Sequence, residues 1–189
     1  MSAQPQLPAE FQAALASLRA ARNRPELKLA EIPAPSRLAP YGVALGAEVM
    51  ADGEEAATGR FILLHDPNGS SLWEGTFRIV TYIRAELEPD IGKDALLGNV
   101  AWAWLVEALD DHGAAYRAAG GTATRILSES YGTLAARPDA IDIELRASWT
   151  PCGPAVRAHL EAWSTMVCTF AGLPPVPDGV TLLPQRRRR

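Results

Sequence analysis

The sequence predicts an α+β fold: a five-stranded antiparallel sheet, in the element order α-β-β-β-α-β-β-α, with the helices mainly on one face. Three observations carry that expectation. Apolar and polar residues alternate with period two at residues 41–49, 76–87 and 141–149, as in strands buried on one side. Apolar residues recur at helical spacing in residues 8–23, 95–110 and 154–171. Strand patterns also follow one another across turn signals, which favours hairpins over parallel crossovers.

Phe11, Leu15 and Leu18 fall at i, i+4 and i+7, so a first helix occupies residues 8–23 and ends at Pro25. Pro25, Pro33, Pro35 and Pro40 then punctuate the chain and leave room for at most a short edge strand over residues 27–32. Tyr41, Val43, Leu45, Ala47 and Val49 alternate with small or polar residues in the first strand of the sheet proper, closed by Asp52-Gly53. Phe61 and Leu63 share one face of the next strand, residues 60–65, and Asp66-Pro67-Asn68-Gly69 has the composition of a hairpin turn. In the third strand Phe77, Ile79, Thr81, Ile83, Ala85 and Leu87 oppose Arg78, Tyr82, Arg84 and Glu86.

Asp94 is placed to cap a helix over residues 95–110 that stops near Gly113. Trp102, Trp104, Leu105, Val106 and Leu109 make this helix apolar on nearly every side, so it must be covered on more than one face, either by its own domain or by a partner subunit. Gly120-Gly121 reads as a mobile connector into a weaker strand over residues 122–131. Ile141, Ile143, Leu145, Ala147 and Trp149 then alternate with Asp142, Glu144, Arg146 and Ser148 until Pro151. Val156, Leu160, Trp163, Val167 and Phe170 define a last helix, with Pro154 at its start and Gly172 at its close.

At 189 residues, 48% hydrophobic and 21% charged, the chain suits one domain, residues 7–173, with a Pro/Arg-rich disordered tail over residues 174–189. A net charge of -4 argues against general binding to nucleic acid or to an anionic membrane, both of which need a dense positive field. The first residues lack the basic and apolar segments of a signal peptide, and the apolar run at 95–109 contains Gly98, Asn99 and Glu107, so a cytoplasmic protein with no membrane span is expected. Cys152 and Cys168 form no CxxC pair and no histidines cluster; reduced thiols, no metal and no cofactor are expected.

Arg78, Arg84, Glu86, Glu144 and Arg146 project from the polar faces of two strands. They can recognise a carboxylate, phosphate or acidic peptide, or they can pair across strands on a solvated face. Trp73 adjoins a turn and is a candidate exposed aromatic. His65, Asp66 and Glu74 flank the same turn, where an imidazole beside carboxylates has acid-base or metal-binding potential. No Gly-x-Ser-x-Gly elbow surrounds Ser128, Ser130 or Ser148, and Gly120-Gly121-Thr122 lacks a phosphate loop's spacing and lysine.

The segments Leu72-Trp73-Glu74-Gly75-Thr76-Phe77-Arg78, Arg84-Ala85-Glu86-Leu87-Glu88-Pro89 and Ile143-Glu144-Leu145-Arg146-Ala147-Ser148-Trp149-Thr150-Pro151 resemble a family of uncharacterised actinobacterial proteins, a domain of unknown function that is number three thousand in its series. That resemblance spans residues 7–173 and implies no activity and no catalytic residue. The element order is also similar to that of small dimeric chaperones of the type III secretion class, an analogy of fold alone, which implies a dimer through the helix at residues 95–110. The expectation is therefore a non-enzymatic protein-binding or adaptor protein, chaperone-like and homodimeric, using Arg78, Arg84, Glu86, Glu144, Arg146 and Trp73. The alternative is an enzyme or small-ligand binder for an anionic metabolite held by Arg78, Arg84 and Arg146; a weaker one is a nucleic-acid-associated factor using Arg84 and the arginines at 186–189.

Overall fold

The computed structural model describes residues 7–87, Gly92, residues 94–173 and Pro175. Among them the chain forms α1 (Ala9–Arg19), β1 (Leu27–Ile32), β2 (Tyr41–Ala51), β3 (Glu54–Ser70), β4 (Gly75–Leu87), α2 (Leu97–Asp111), β5 (Tyr116–Ser128), β6 (Ala140–Pro151) and α3 (Arg157–Phe170), with a 3-10 turn at Gly132–Leu134. The α+β class with an antiparallel sheet is as expected, but the sheet has six strands rather than five, in the order β1-β2-β3-β4-β6-β5. The additional strand is β1, paired with β2 from Leu27↔Val49 to Ile32↔Ala44. Its prolines flank the strand instead of interrupting it, so no ladder donor is lost. The tail expected from residue 174 lies outside the described residues except for Pro175.

Two local readings are corrected. Asp66-Pro67-Asn68-Gly69 is not the hairpin turn: β3 continues to Ser70, its register shifts between His65↔Phe77 and Ser70↔Gly75, and the chain reverses at residues 71–74. The turn-like composition serves a bulge instead, where φ is +73° at Gly69. Gly120-Gly121 is not a connector but lies inside β5, which starts at Tyr116. A Cβ on Gly121 would stand 2.6 Å from the Arg146 carbonyl and 2.9 Å from the Trp102 ring, so only glycine lets α2 approach the sheet this closely.

One sheet face is buried. Phe61, Leu63, Phe77, Ile79, Ile83, Ile143, Leu145 and Trp149 project from it into a core shared with the three helices. The helix at the centre of the helical layer is α3: it packs on β1 to β4 and against both α1 and α2, and buries nine residues from His159 to Phe170. Trp163 fills the space above Gly59, where a Cβ would come within 2.6 Å of its ring, and its indole lies 5.6 Å from the Phe61 ring. By contrast α2 packs chiefly on α3 and β5. It buries Leu97, Ala101, Leu105, Ala108 and Leu109 and leaves Leu96, Val100 and Trp104 60%, 36% and 37% exposed.

Candidate functional site

The opposite face of the sheet is covered by none of these helices. Its centre is a cross-strand polar cluster built by the register Tyr82↔Arg146 and Arg84↔Glu144 between β4 and β6. Arg84 Nη2 lies 2.7 Å from Asp142 Oδ2, and Arg146 Nη2 lies 2.6 Å from Glu144 Oε2. The Arg146 guanidinium also sits 5.4 Å above the Tyr82 ring, within cation-π range. Tyr82 donates its hydroxyl to Glu144 Oε1 at 2.9 Å. Burial, and then the Glu144 carboxylate, hold the Tyr82 phenol above its usual pKa. The hydrogen bond to Asp142 holds the Arg84 guanidinium in its charged form more firmly than usual. Glu144 is only 7% exposed, although it stands on the face that alternation assigns to solvent, because Tyr82 and Arg146 close over it. Glu86 is exposed opposite Asp142, with Arg84 offsetting the like charges.

Arg78 and Trp73 belong to a second cluster, six residues or roughly 20 Å along β4 from Arg84. Arg78 donates to the Ala118 carbonyl at 2.8 Å, to Thr150 Oγ1 at 3.1 Å and to Ser148 Oγ at 2.7 Å. Desolvation lowers its pKa, since all three partners are neutral. Thr150 donates in turn to the Trp73 carbonyl, and Arg117 Nε donates to the Glu74 carbonyl at 2.8 Å. This clasp fixes the β3–β4 turn to the bulge at Arg117/Gly120, where Ala118 adopts φ +50°. Six residues named from sequence thus divide into a clasp (Trp73, Arg78) and a polar cluster in which Arg84 pairs with Asp142 and Arg146 with Glu144, with Glu86 exposed beside it.

The face also contains residues that the sequence reading passed over as site residues. Arg60, on β3 beside Tyr82, forms no ion pair among the described residues. It borders two shallow hollows, of about 560 and 440 Å³, that share Arg60 and Tyr82; Lys28 and Glu48 line the first and Arg146 the second. A tyrosine at a polar-facing position and an arginine ending the small-residue run before Phe61 were the available signals. With Arg84 and Arg146 each holding a carboxylate, Arg60 is the guanidinium best placed to receive an incoming one.

The histidines are structural. His65 is buried, with Nδ1 3.0 Å from the Thr76 carbonyl and its ring stacked on Phe77 at 4.3 Å, so it faces the core and not Asp66 or Glu74. His112 Nε2 is 3.1 Å from Thr165 Oγ1. His159 Nδ1 accepts the Trp149 indole N–H at 3.0 Å, and burial lowers its pKa to about 4. Burial raises the Cys168 thiol to about 11, while Cys152 is exposed. Among the described residues no three His, Cys, Asp or Glu side chains gather as a metal site, and no helix is long and apolar enough to cross a membrane.

These features define a class: an α+β protein with a helix-covered six-stranded antiparallel sheet whose other face carries a self-paired polar cluster. The particular family follows from the sequence. A family model described as "Protein of unknown function (DUF3000)" matches residues 7–181, and the chain belongs to that family, as the segments around Trp73, Arg84 and Trp149 suggested. No curated protein and no solved structure matches the chain.

Proposed function

We propose that this is a non-enzymatic protein-binding or adaptor protein of the cytoplasm that works as a homodimer, with the uncovered sheet face engaging another protein. The observation that carries the dimer is the exposed apolar stripe Leu96, Val100 and Trp104 on α2, which lies on the flank of the helix away from Gly98 and Trp102, the residues that meet β5. Arg84, Glu86, Glu144 and Arg146, with Arg60 and Tyr82 between the hollows and Trp73 and Arg78 at the rim, form the recognition face of each copy.

The test is solution mass by light scattering over a concentration series. A dimer is expected, with Trp104→Asp giving a monomer of unchanged circular dichroism; a monomer at every concentration overturns the dimer. A second reading, binding of a small anionic metabolite, is favoured by one observation, that Arg60 stands between two hollows with no ion pair among the described residues. The arginines at 186–189, on which the nucleic-acid reading partly rests, lie outside the described residues.

A further inference from the structure

The open face of the sheet is not polar throughout. Ile62 on β3 and Val80 on β4 stand directly opposite one another on it, half buried, with no helix above them among the described residues. The same row continues through Ala44 on β2 to Ile32 on β1, so an apolar band crosses the sheet at this level. Contiguous apolar surface at solvent-facing positions marks a contact.

The long side chains on either side of the band are drawn away from it. On β6 the band meets Ser148, opposite Val80, whereas Tyr82 and Arg146 both turn to Glu144, four residues from Ser148. On the other side Arg78 reaches across to Ser148, Thr150 and the Ala118 carbonyl, towards β6 and β5 and away from Ile62. What remains between the polar cluster and the clasp is the hollow of about 440 Å³ lined by Arg60, Ile62, Val80, Tyr82 and Arg146, a volume within the range of small-molecule sites.

The charged residues lining this hollow are Arg60 and Arg146. Arg146 is neutralised by Glu144, and Arg84 in the next row by Asp142, while Arg60 is exposed and forms no ion pair among the described residues. One uncompensated positive charge suits a monoanion; a phosphate dianion adds a second negative charge near Glu144 and Asp142 with no cation left to meet it. A carboxylate matches the fork of a guanidinium. Arg146 lies over the Tyr82 ring and its side chain is still 57% exposed, so it can stack on a second flat group.

We propose that this hollow binds a small monocarboxylate with a flat apolar body, the carboxylate on Arg60 and the body on Ile62 and Val80 beside Arg146; this rests on reading the open face as a site for a small anion and adds the chemistry of that anion. It does not depend on the dimer, whose apolar stripe lies on α2.

The test is a titration of the full chain with 2-naphthoate, followed by NMR of the Ile, Leu and Val methyl groups. The Ile62 and Val80 methyls should shift, with a dissociation constant about tenfold below that of inorganic phosphate measured in the same way. Arg60→Ala should weaken 2-naphthoate about tenfold, as loss of a charged hydrogen-bonding partner does, and the methyl ester of the same acid should bind the parent chain about as weakly. Arg19→Ala, beside α1, should change nothing; both variants should keep the circular dichroism of the parent. Phosphate binding at Arg60 as tightly as 2-naphthoate overturns the proposal and leaves the anion reading standing, whereas no shift at Ile62 and Val80 with either anion overturns both. Shifts confined to Leu15 and Leu29, which line an apolar cleft beside α1, or an affinity unmoved by Arg60→Ala, also overturn the proposal.

Discussion

The two faces of one sheet use the same strands for opposite purposes. On the helical face, β4 contributes Phe77, Ile79 and Ile83, all almost completely buried, and α3 seals them. On the other face, at the alternate positions of the same strand, Arg78, Tyr82 and Arg84 meet partners on the neighbouring strand β6. The first face is held by area removed from water, which scales with the atoms buried. The second is held by charges that neutralise one another locally, which adds little stability but leaves the surface accessible. Burial and paired charge are thereby separated by the pleat, and substitutions on one face should leave the other largely undisturbed.

The largest effect should come from the buried face. Trp163→Ala should cost about 4 kcal/mol of unfolding free energy in urea titrations, because the ring packs on Phe61 and into the space left by Gly59. Next in size is a pH effect at the same layer. The folded chain holds the His159 pKa at about 4 against an ordinary 6.5, so as pH falls the unfolded chain takes up the proton first. Stability is fully present above the ordinary value and declines by roughly 3 kcal/mol down to the folded value, at 1.36 kcal/mol per pKa unit. His159→Gln, which keeps an acceptor for the Trp149 N–H, should flatten that part of the profile.

The smallest effect belongs to the open face. Arg84→Ala should cost less than about 1 kcal/mol, since the pair with Asp142 is half exposed on the arginine side and screened by solvent. If Arg84→Ala proved as costly as Trp163→Ala, the separation of the two faces would fail. If it were neutral for stability but weakened partner capture, the separation would be sharpened.

Much of this division was legible in the alternation of β4 and β6, because a period of two assigns each residue to a face whatever the surroundings. What alternation does not give is the cover. Glu144 stands on the polar face and is nonetheless buried, an outcome that depends on Tyr82 and Arg146, stacked on one another, both holding its carboxylate. The helices show the same limit. Composition marked α2 as apolar all round, yet α3 takes the central position, with small and polar residues such as Ala162, Ser164 and Cys168 buried among its aromatics. Small residues permit close approach but contribute little to an apolar pattern, so the more deeply buried helix was the less conspicuous one. Gly121 misled for a similar reason: its role is to admit Trp102, a contact some twenty residues away in sequence that glycine's local preferences do not reveal.

The place of β6 between β4 and β5 carries a consequence for the order in which the chain is made. β1 to β4 each find their sheet partner in the strand just before or after them, so those pairings become possible as each hairpin leaves the ribosome. β5 likewise pairs with the strand that follows it, β6, and among the described residues the pairing that is not between consecutive strands is that of β6 with β4, for which β6 must reach back past α2 and the whole of β5. During synthesis, therefore, the first four strands can assemble behind the advancing chain while β5 waits, and the sheet is completed only when Ala140–Pro151 has been added to bridge its two parts.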